Sequence, residues 1–130
     1  MGSALLVALL AADFSGIWVG QIVRPNADPV DVALRFTQQG ASLGGKLYDD
    51  SKSPPVVAGK VAGDTISFVV VVAEQAGNQI NETRYRYTGV LIGAELELTR
   101  ERESARNAGN GGAVQFKNNA KQTFRVQRLY

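Results

Sequence analysis

Two stretches of ten residues, thirty positions apart, share the pattern of a strand, a tight turn and a second strand. They cover residues 59–68 and 89–98, and each has a glycine at its turn, Gly63 in the first and Gly93 in the second. Apolar side chains follow each turn at alternate positions, as in a half-buried strand. Two hairpins of one design in tandem indicate an antiparallel meander. A meander of this length usually closes into a barrel, because closure removes the exposed strand edges.

Alternating hydrophobicity and turn residues predict eight strands along the chain. The 130 residues suit a single domain. We therefore predict an all-β fold, an eight-stranded antiparallel up-and-down barrel with an interior filled by side chains. Val114 and Phe116, inside the long last connection, are candidates for a further short strand. The predicted strands are Gly16–Arg24, Asp31–Gln38, Leu43–Tyr48, Val56–Ala62, Thr65–Glu74, Asn81–Leu91, Glu95–Glu103 and Gln122–Leu129.

The turn positions determine which residues oppose each other, because side chains alternate between the two faces of a strand. Around Gly93 and Ala94, the register brings opposite charges together on one face and tyrosine with arginine on the other. In both hairpins an inward glycine faces a large apolar side chain. The predicted pairs are Leu91 with Leu96, Gly89 with Leu98, Tyr87 with Arg100, Tyr85 with Arg102, Arg86 with Glu101 and Arg84 with Glu103, and then Val61 with Ile66, Gly59 with Phe68 and Val57 with Val70.

Four side chains on the inner face of the second hairpin form the candidate ligand-binding group. The fifth strand has Val70 and Val72 at inward positions, where the seventh has two arginines. Two buried guanidinium groups without partners are costly. They must reach solvent at the barrel mouth, pair with carboxylates, stack on tyrosines or meet an anionic ligand. The group is therefore either a structural cluster at the mouth or the site of a non-catalytic module that binds a small polar or anionic molecule. Its members are Tyr85, Tyr87, Arg100 and Arg102.

The chain contains no histidine and no cysteine. Nucleophilic systems that pair serine or cysteine with histidine are therefore excluded, as is zinc bound by nitrogen or sulfur. Carboxylate pairs such as Asp49 with Asp50, or Glu101 with Glu103, leave a carboxylate-dependent enzyme as one alternative function. We predict no catalytic residue, metal or cofactor, and we expect no enzymatic activity.

The charge distribution does not favour a nucleic-acid partner. Residues 104–130 hold five of the fourteen basic residues and no acidic one, yet the net charge is only +2. Aromatic side chains do not alternate with these charges, as they would on a surface that binds nucleic acid. We therefore expect no nucleic acid as partner.

Residues 1–12 form an apolar N-terminal segment ahead of a single barrel domain over 13–130. The run Ala4–Ala12 resembles the core of a signal peptide but lacks preceding basic residues. It is too short to span a membrane, which needs about 20 apolar residues. Two alternatives stay open. The segment is a remnant of a bacterial export signal, which implies a secreted or periplasmic protein, or it packs on the barrel or on a neighbouring copy.

Several apolar side chains are expected on the outside of the barrel, where polar residues are usual. Either the N-terminal segment or the long last loop covers them, or they form a subunit interface, since exposed apolar patches often mark association. If these side chains form a subunit interface, the protein is a self-associating structural protein, a homo-oligomer or filament. The candidate interface residues are Val56, Ala58, Val69 and Val71.

Gly16-Ile17-Trp18 opens the first strand, and Phe124 and Arg128 lie in the last. This arrangement resembles the calycin pattern of lipocalins, fatty-acid-binding proteins and avidins. The resemblance implies that Trp18 closes one end of the barrel and that Arg128 lies across it as an end plug. Over residues 13–129 the chain is also similar to small secreted bacterial β-barrel domains of uncharacterised function. The shared motifs are structural, so they imply a fold and no particular ligand.

Overall fold

The computed structural model describes residues 12–24, 26–49, 52–116 and 121–129. Its eight strands are antiparallel neighbours in chain order, and the last pairs with the first to close a barrel. The predicted fold class is therefore confirmed. The described residues include no helix long and apolar enough to cross a membrane. The strands are β1 (Gly16–Ile22), β2 (Val30–Gln39), β3 (Ser42–Tyr48), β4 (Val57–Ala62), β5 (Thr65–Ala76), β6 (Gln79–Ile92), β7 (Glu95–Asn107) and β8 (Gln122–Arg128).

The predictions for the N-terminal segment concern residues that mostly lie outside this description. Of the segment only Ala12 is described, and its backbone N–H donates to the carbonyl oxygen of Gly63 at 3.0 Å. Export and assembly through residues 1–11 stay predictions. The extra strand expected near Val114 and Phe116 is not formed, since only Ala113 makes an isolated bridge, to Arg106.

Four hairpins turn on a glycine followed by one other residue. These glycines have φ between 61° and 63°, whereas the residue after each has an ordinary negative φ. A glycine at the first central position is the sequence requirement of a type II′ turn, whose twist matches that of paired strands. The glycines are Gly40, Gly63, Gly77 and Gly93.

The two ends of the barrel differ. Three of the glycine turns, at 40–41, 63–64 and 93–94, lie at the end where β1 begins and β8 stops. The opposite end, which we call the mouth, carries the longer connections at 23–29, 49–56 and 108–121. One end is therefore compact, whereas several longer connections surround the mouth.

Strands β5 to β7 continue beyond the rest of the barrel at the mouth. Among the described residues, β4 pairs with β5 as far as Val69, and β8 pairs with β7 as far as Arg100. We call the continuation the β5–β7 extension; it comprises Val71–Ala76, Gln79–Arg84 and Ser104–Asn107. Its inner face prolongs the barrel wall on one side of the mouth.

The predicted register between β6 and β7 is confirmed from the turn to the pair Tyr85 with Arg102. The next predicted pair, Arg84 with Glu103, is wrong, because a bulge shifts the register by one residue and Arg84 opposes Ser104. One extra residue on β7 reverses which side chains point inward beyond it. Glu103 instead forms an ion pair with Arg86 at 3.2 Å.

A second bulge interrupts β4. The pair Val61 with Ile66 is confirmed, but Val57 opposes Val69 rather than the predicted Val70. Ala58 sits inside the bulge with a φ of 52°. The extra residue turns Val56 into the core and leaves Val57 39 % exposed. The prediction that Val56 points outward is therefore wrong.

The other candidate interface residues differ in exposure. Val69 belongs to the outer face, since it is not part of the core cluster, yet it is only 2 % exposed. Val71 is half-buried and Ala58 is exposed. The interface stays a prediction, and the apolar surface available to it is smaller than the sequence pattern indicated.

The barrel interior is packed with side chains from all eight strands. Three aromatic rings contact one another in its interior. Phe36 meets Phe68 edge-on, with 5.5 Å between ring centres, and Phe68 stacks parallel on Tyr87, with 4.8 Å between ring centres. Gly89 is the inward glycine of the second hairpin, and a Cβ there would lie 2.9 Å from Ile66 and from Leu98. Neighbouring side chains therefore occupy the space that the glycine leaves.

Candidate functional site

The compact end is filled. Trp18 is 1 % exposed, and its indole N–H donates to the carbonyl oxygen of Phe14 at 2.9 Å. The Arg128 guanidinium lies 4.4 Å from the centre of the Trp18 ring and donates to the carbonyl oxygens of Asp13 and Ser15, each at 2.6 Å. The two residues predicted as an end plug are thus in contact and join β1 to β8. A ligand site inside the barrel has to open at the other end.

A pocket of about 230 Å³ opens at the mouth. Its volume is below the range of about 300–1,000 Å³ for pockets that hold drug-sized ligands, so it suits a small molecule. We call it the mouth pocket. Aliphatic side chains form part of its wall, and three cationic groups and two carboxylates surround it. The lining residues are Ile22, Arg24, Val30, Leu47, Asp49, Lys52, Val70, Val72, Glu74, Tyr85, Tyr87 and Arg100.

Arg100 lines this pocket and is held by neutral groups. Its Nε donates to the side-chain oxygen of Gln122 at 2.6 Å, and its Nη1 donates to the Tyr87 hydroxyl at 3.5 Å. The guanidinium carbon lies 5.0 Å from the centre of the Tyr85 ring. None of the ion pairs between two described residues includes Arg100, since those pairs belong to three arginines on the outer face. Those arginines are Arg86, Arg106 and Arg125.

Tyr85 connects a carboxylate and a second arginine. Its hydroxyl donates to Glu74 at 2.7 Å and accepts from Nε of Arg102 at 3.3 Å. Burial raises the pKa of the Tyr85 phenol, and it also raises the pKa of Tyr87. Both phenols are therefore protonated at neutral pH and able to donate hydrogen bonds.

The four predicted ligand-binding residues do not all face the same space. Tyr85, Tyr87 and Arg100 line the mouth pocket, whereas Arg102 turns away from it and lies over the ring of Phe116 at 5.4 Å. Arg102 lines a second pocket of about 350 Å³, which we call the side pocket. Its walls are Glu74, Gln75, Ala76, Asn81, Thr83, Arg102, Ala105, Val114, Gln115 and Phe116.

Sequence reasoning missed the charged groups on the rim of the mouth pocket. Asp49 and Lys52 come from a connection between strands, where no periodicity indicates direction, and Arg24 lies two residues beyond the end of β1. Arg24 donates to the carbonyl oxygen of Asp28, and the Lys52 ammonium donates to the carbonyl oxygen of Ala73. Glu74 could have been found, since it continues the inward series Val70 and Val72 along β5. The described residues include no cluster of three or more side chains suited to a metal ion.

The fold has a solved counterpart. No protein-family model matches the chain, and no curated protein is significantly similar to it. The crystal structure of short afifavidin in complex with biotin matches with a TM-score of 0.53 and 17 % identity, over 92 % of this chain and 93 % of that one. An identity this low establishes likeness of fold only. The chain therefore has a calycin-like barrel fold of the avidin type.

Proposed function

We propose that this protein is a non-catalytic binding barrel that holds a small molecule with an anionic group in the mouth pocket. The observation that carries the proposal is Arg100, an inward guanidinium held by Gln122 and Tyr87 with no described carboxylate in ion-pair contact. Guanidinium has five N–H donors. Those that Gln122 and Tyr87 leave unused suit the two oxygens of a carboxylate, which arginine binds in a bidentate manner.

The surroundings of Arg100 favour a negatively charged ligand group. The mouth pocket has three cationic side chains against two carboxylates, and Glu74 already accepts a hydrogen bond from Tyr85. The Tyr87 hydroxyl accepts from Arg100 and keeps its own proton as a donor, and neither phenol carries negative charge. The avidin-type neighbour was crystallised with biotin, which supports a small-molecule ligand for this barrel.

Calorimetric titration with small anionic probes tests the proposal. The probes are acetate, succinate, benzoate, inorganic phosphate and biotin. We expect at least one carboxylate to bind, and Arg100→Gln to weaken its binding about tenfold or more, because a hydrogen bond to a charged group contributes about 1.5–3 kcal/mol. Arg125→Gln is the matched control, since Arg125 pairs with Glu95 and Glu97 on the outer face. Absence of binding to every probe, or equal binding by both variants, refutes the proposal.

We propose self-association as a second candidate function. Beyond Val69, no described strand pairs with β5 on the side opposite β6, and residues 70–73 of this edge are uncharged and apolar. An unpaired edge of this kind is a template for another strand. The Lys52 contact with the Ala73 carbonyl occupies only one acceptor of the edge.

Light scattering tests this second candidate. We expect a mass in solution of at least a dimer, reduced to one chain by Val71→Lys or by deletion of residues 3–12, without loss of the β-sheet circular dichroism. A monomeric wild-type protein excludes the candidate and leaves the ligand-binding proposal intact.

A further inference from the structure

The charged side chains of the mouth pocket differ in exposure. Arg24 and Lys52 are exposed on the rim, and each donates to a main-chain carbonyl oxygen. The other three, Arg100, Asp49 and Glu74, are half-buried. The half-buried charges are therefore one cation and two carboxylates. A ligand with negative charge alone would be attracted by the guanidinium and repelled by both carboxylates.

Glu74 is the carboxylate whose position is best defined. It lies on the β5–β7 extension, and its Oε2 accepts from the Tyr85 hydroxyl at 2.7 Å. None of the ion pairs between two described residues includes Glu74, since Arg102 donates to the Tyr85 hydroxyl and not to the carboxylate. A carboxylate has about four lone-pair sites, so Glu74 can accept further hydrogen bonds from a ligand.

Tyr85 relates this carboxylate to the guanidinium group. Its ring centre lies 5.0 Å from the guanidinium carbon of Arg100, and its hydroxyl at the other end of the side chain donates to Glu74. The positive and negative groups therefore lie near opposite ends of one aromatic side chain. A small molecule that lies along Tyr85 can reach both of them.

The Tyr87 hydroxyl responds to the same opposite charges. Burial is the main reason that the pKa of Tyr87 is raised. The positive charge of Arg100 opposes this shift, and the negative charges of Asp49 and Glu74 add to it. Both signs of charge are therefore close enough to act on one buried phenol of the pocket.

We propose that the mouth pocket binds a free amino acid, with its carboxylate on Arg100 and its ammonium group on Glu74. The inference rests on the proposed function, because it takes the anion site at Arg100 as given and adds a second contact. An ammonium group has three N–H donors and no acceptor, which suits a carboxylate partner. The pocket volume of about 230 Å³ suits a molecule of this size.

Calorimetric titration of the full chain with two matched pairs of probes tests the inference at neutral pH. The members of each pair differ only in an amino group: alanine is compared with propionate, and aspartate with succinate. We expect the amino acid of each pair to bind about tenfold more tightly or better, because a hydrogen bond between two charged groups typically has at least this effect.

The variant Glu74→Gln assigns the preference to one side chain. Its amide oxygen can still accept from Tyr85, but the negative charge is removed. We expect the preference for the amino acid to fall about tenfold, while propionate and succinate bind at least as tightly as to the wild type. Glu82→Gln is the matched control, since Glu82 pairs with Arg106 on the outer face, and it should retain the preference. Arg100→Gln should weaken both members of each pair by a similar factor.

Three outcomes would overturn the inference and leave the anion site at Arg100 in place. The first is equal affinity within both pairs for the wild type, a comparison that needs no variant. The second is an unchanged preference in a Glu74→Gln protein whose circular dichroism shows that it is folded. The third is binding of a simple carboxylate but of neither amino acid. Absence of binding by every carboxylate and amino acid would refute the proposed function together with this inference.

Discussion

Trp18 and Arg128 close the compact end by different physical means, so their removal should have different costs. Trp18 is buried among core side chains, and we expect Trp18→Ala to lower the free energy of unfolding by about 3–5 kcal/mol. Arg128 is exposed and contributes a cation–π contact and two hydrogen bonds. We expect Arg128→Ala to cost about 1–2 kcal/mol. Urea unfolding of both variants measures the difference. Equal costs, or a dispensable Trp18, would contradict the end-plug assignment.

Ala58 has a backbone conformation that favours glycine. Its φ of 52° lies in the left-handed region, which costs an L-residue with a side chain roughly 1–2 kcal/mol. We expect Ala58→Gly to stabilise the protein by up to about 1 kcal/mol, since glycine's greater loss of entropy on folding offsets part of the gain. Ala58→Val should destabilise it, because a β-branched residue is rarely found there. Urea unfolding measures the free energy of unfolding of both variants. Stabilisation by Ala58→Val would indicate that the bulge is not formed.

At the scale of the strands, the sequence predicts pairing as far as the first bulge and no further. The glycine turns and alternating side chains give the register of β6 with β7 from the turn to Tyr85 and Arg102. A bulge adds one residue without changing composition, and Glu103 and Ser104 on β7 both suit an outer position. The alternation of side chains therefore could not show that Arg84 opposes Ser104. The same limit applies at Ala58, which differs little from its neighbours in hydrophobicity.

A double-mutant cycle on the outer face tests the β7 bulge. Arg86 and Glu103 form an exposed ion pair at 3.2 Å, so we expect a coupling energy of about 0.2–1 kcal/mol between Arg86→Ala and Glu103→Ala. Arg84 is the matched control, because it would face Glu103 only in a register without the bulge. Coupling of Glu103 to Arg84 rather than to Arg86 would show that the bulge is not formed in solution.

For the whole molecule, the prediction of the site was limited by the length of β5 to β7 relative to the other strands. Inward alternation correctly placed Tyr85, Tyr87 and Arg100 on one face of a hairpin. It could not show that, among the described residues, β8 pairs with β7 as far as Arg100, so that Arg102 lies beyond the closed barrel and lines a different pocket. The rim charges of the mouth pocket come from loops, whose direction depends on tertiary packing rather than on periodicity.

The buried tyrosines at the mouth should make global stability depend on alkaline pH. Burial raises the pKa of Tyr85 and of Tyr87 in the folded protein above the unfolded value of about 10. Between these values the folded chain holds protons that the unfolded chain has lost, so the free energy of unfolding falls as pH rises. Stability should therefore be fully retained below about pH 10 and decline above it. Urea unfolding between pH 8 and pH 11 measures this slope.

The variant Tyr87→Phe assigns the slope to a buried phenol. Its ring retains the stacking on Phe68, while the ionisable group is removed, so we expect a shallower decline of the free energy of unfolding above about pH 10. Tyr48→Phe is the control, because it removes a hydroxyl from a side chain that is 37 % exposed rather than from the packed mouth. Two outcomes would show that deprotonation of the mouth tyrosines does not oppose folding. In one, the free energy of unfolding of Tyr87→Phe falls with pH as steeply as that of the wild type. In the other, the free energy of unfolding of the wild type does not change through this pH range. The mouth would then be more open to water than the burial of these rings indicates.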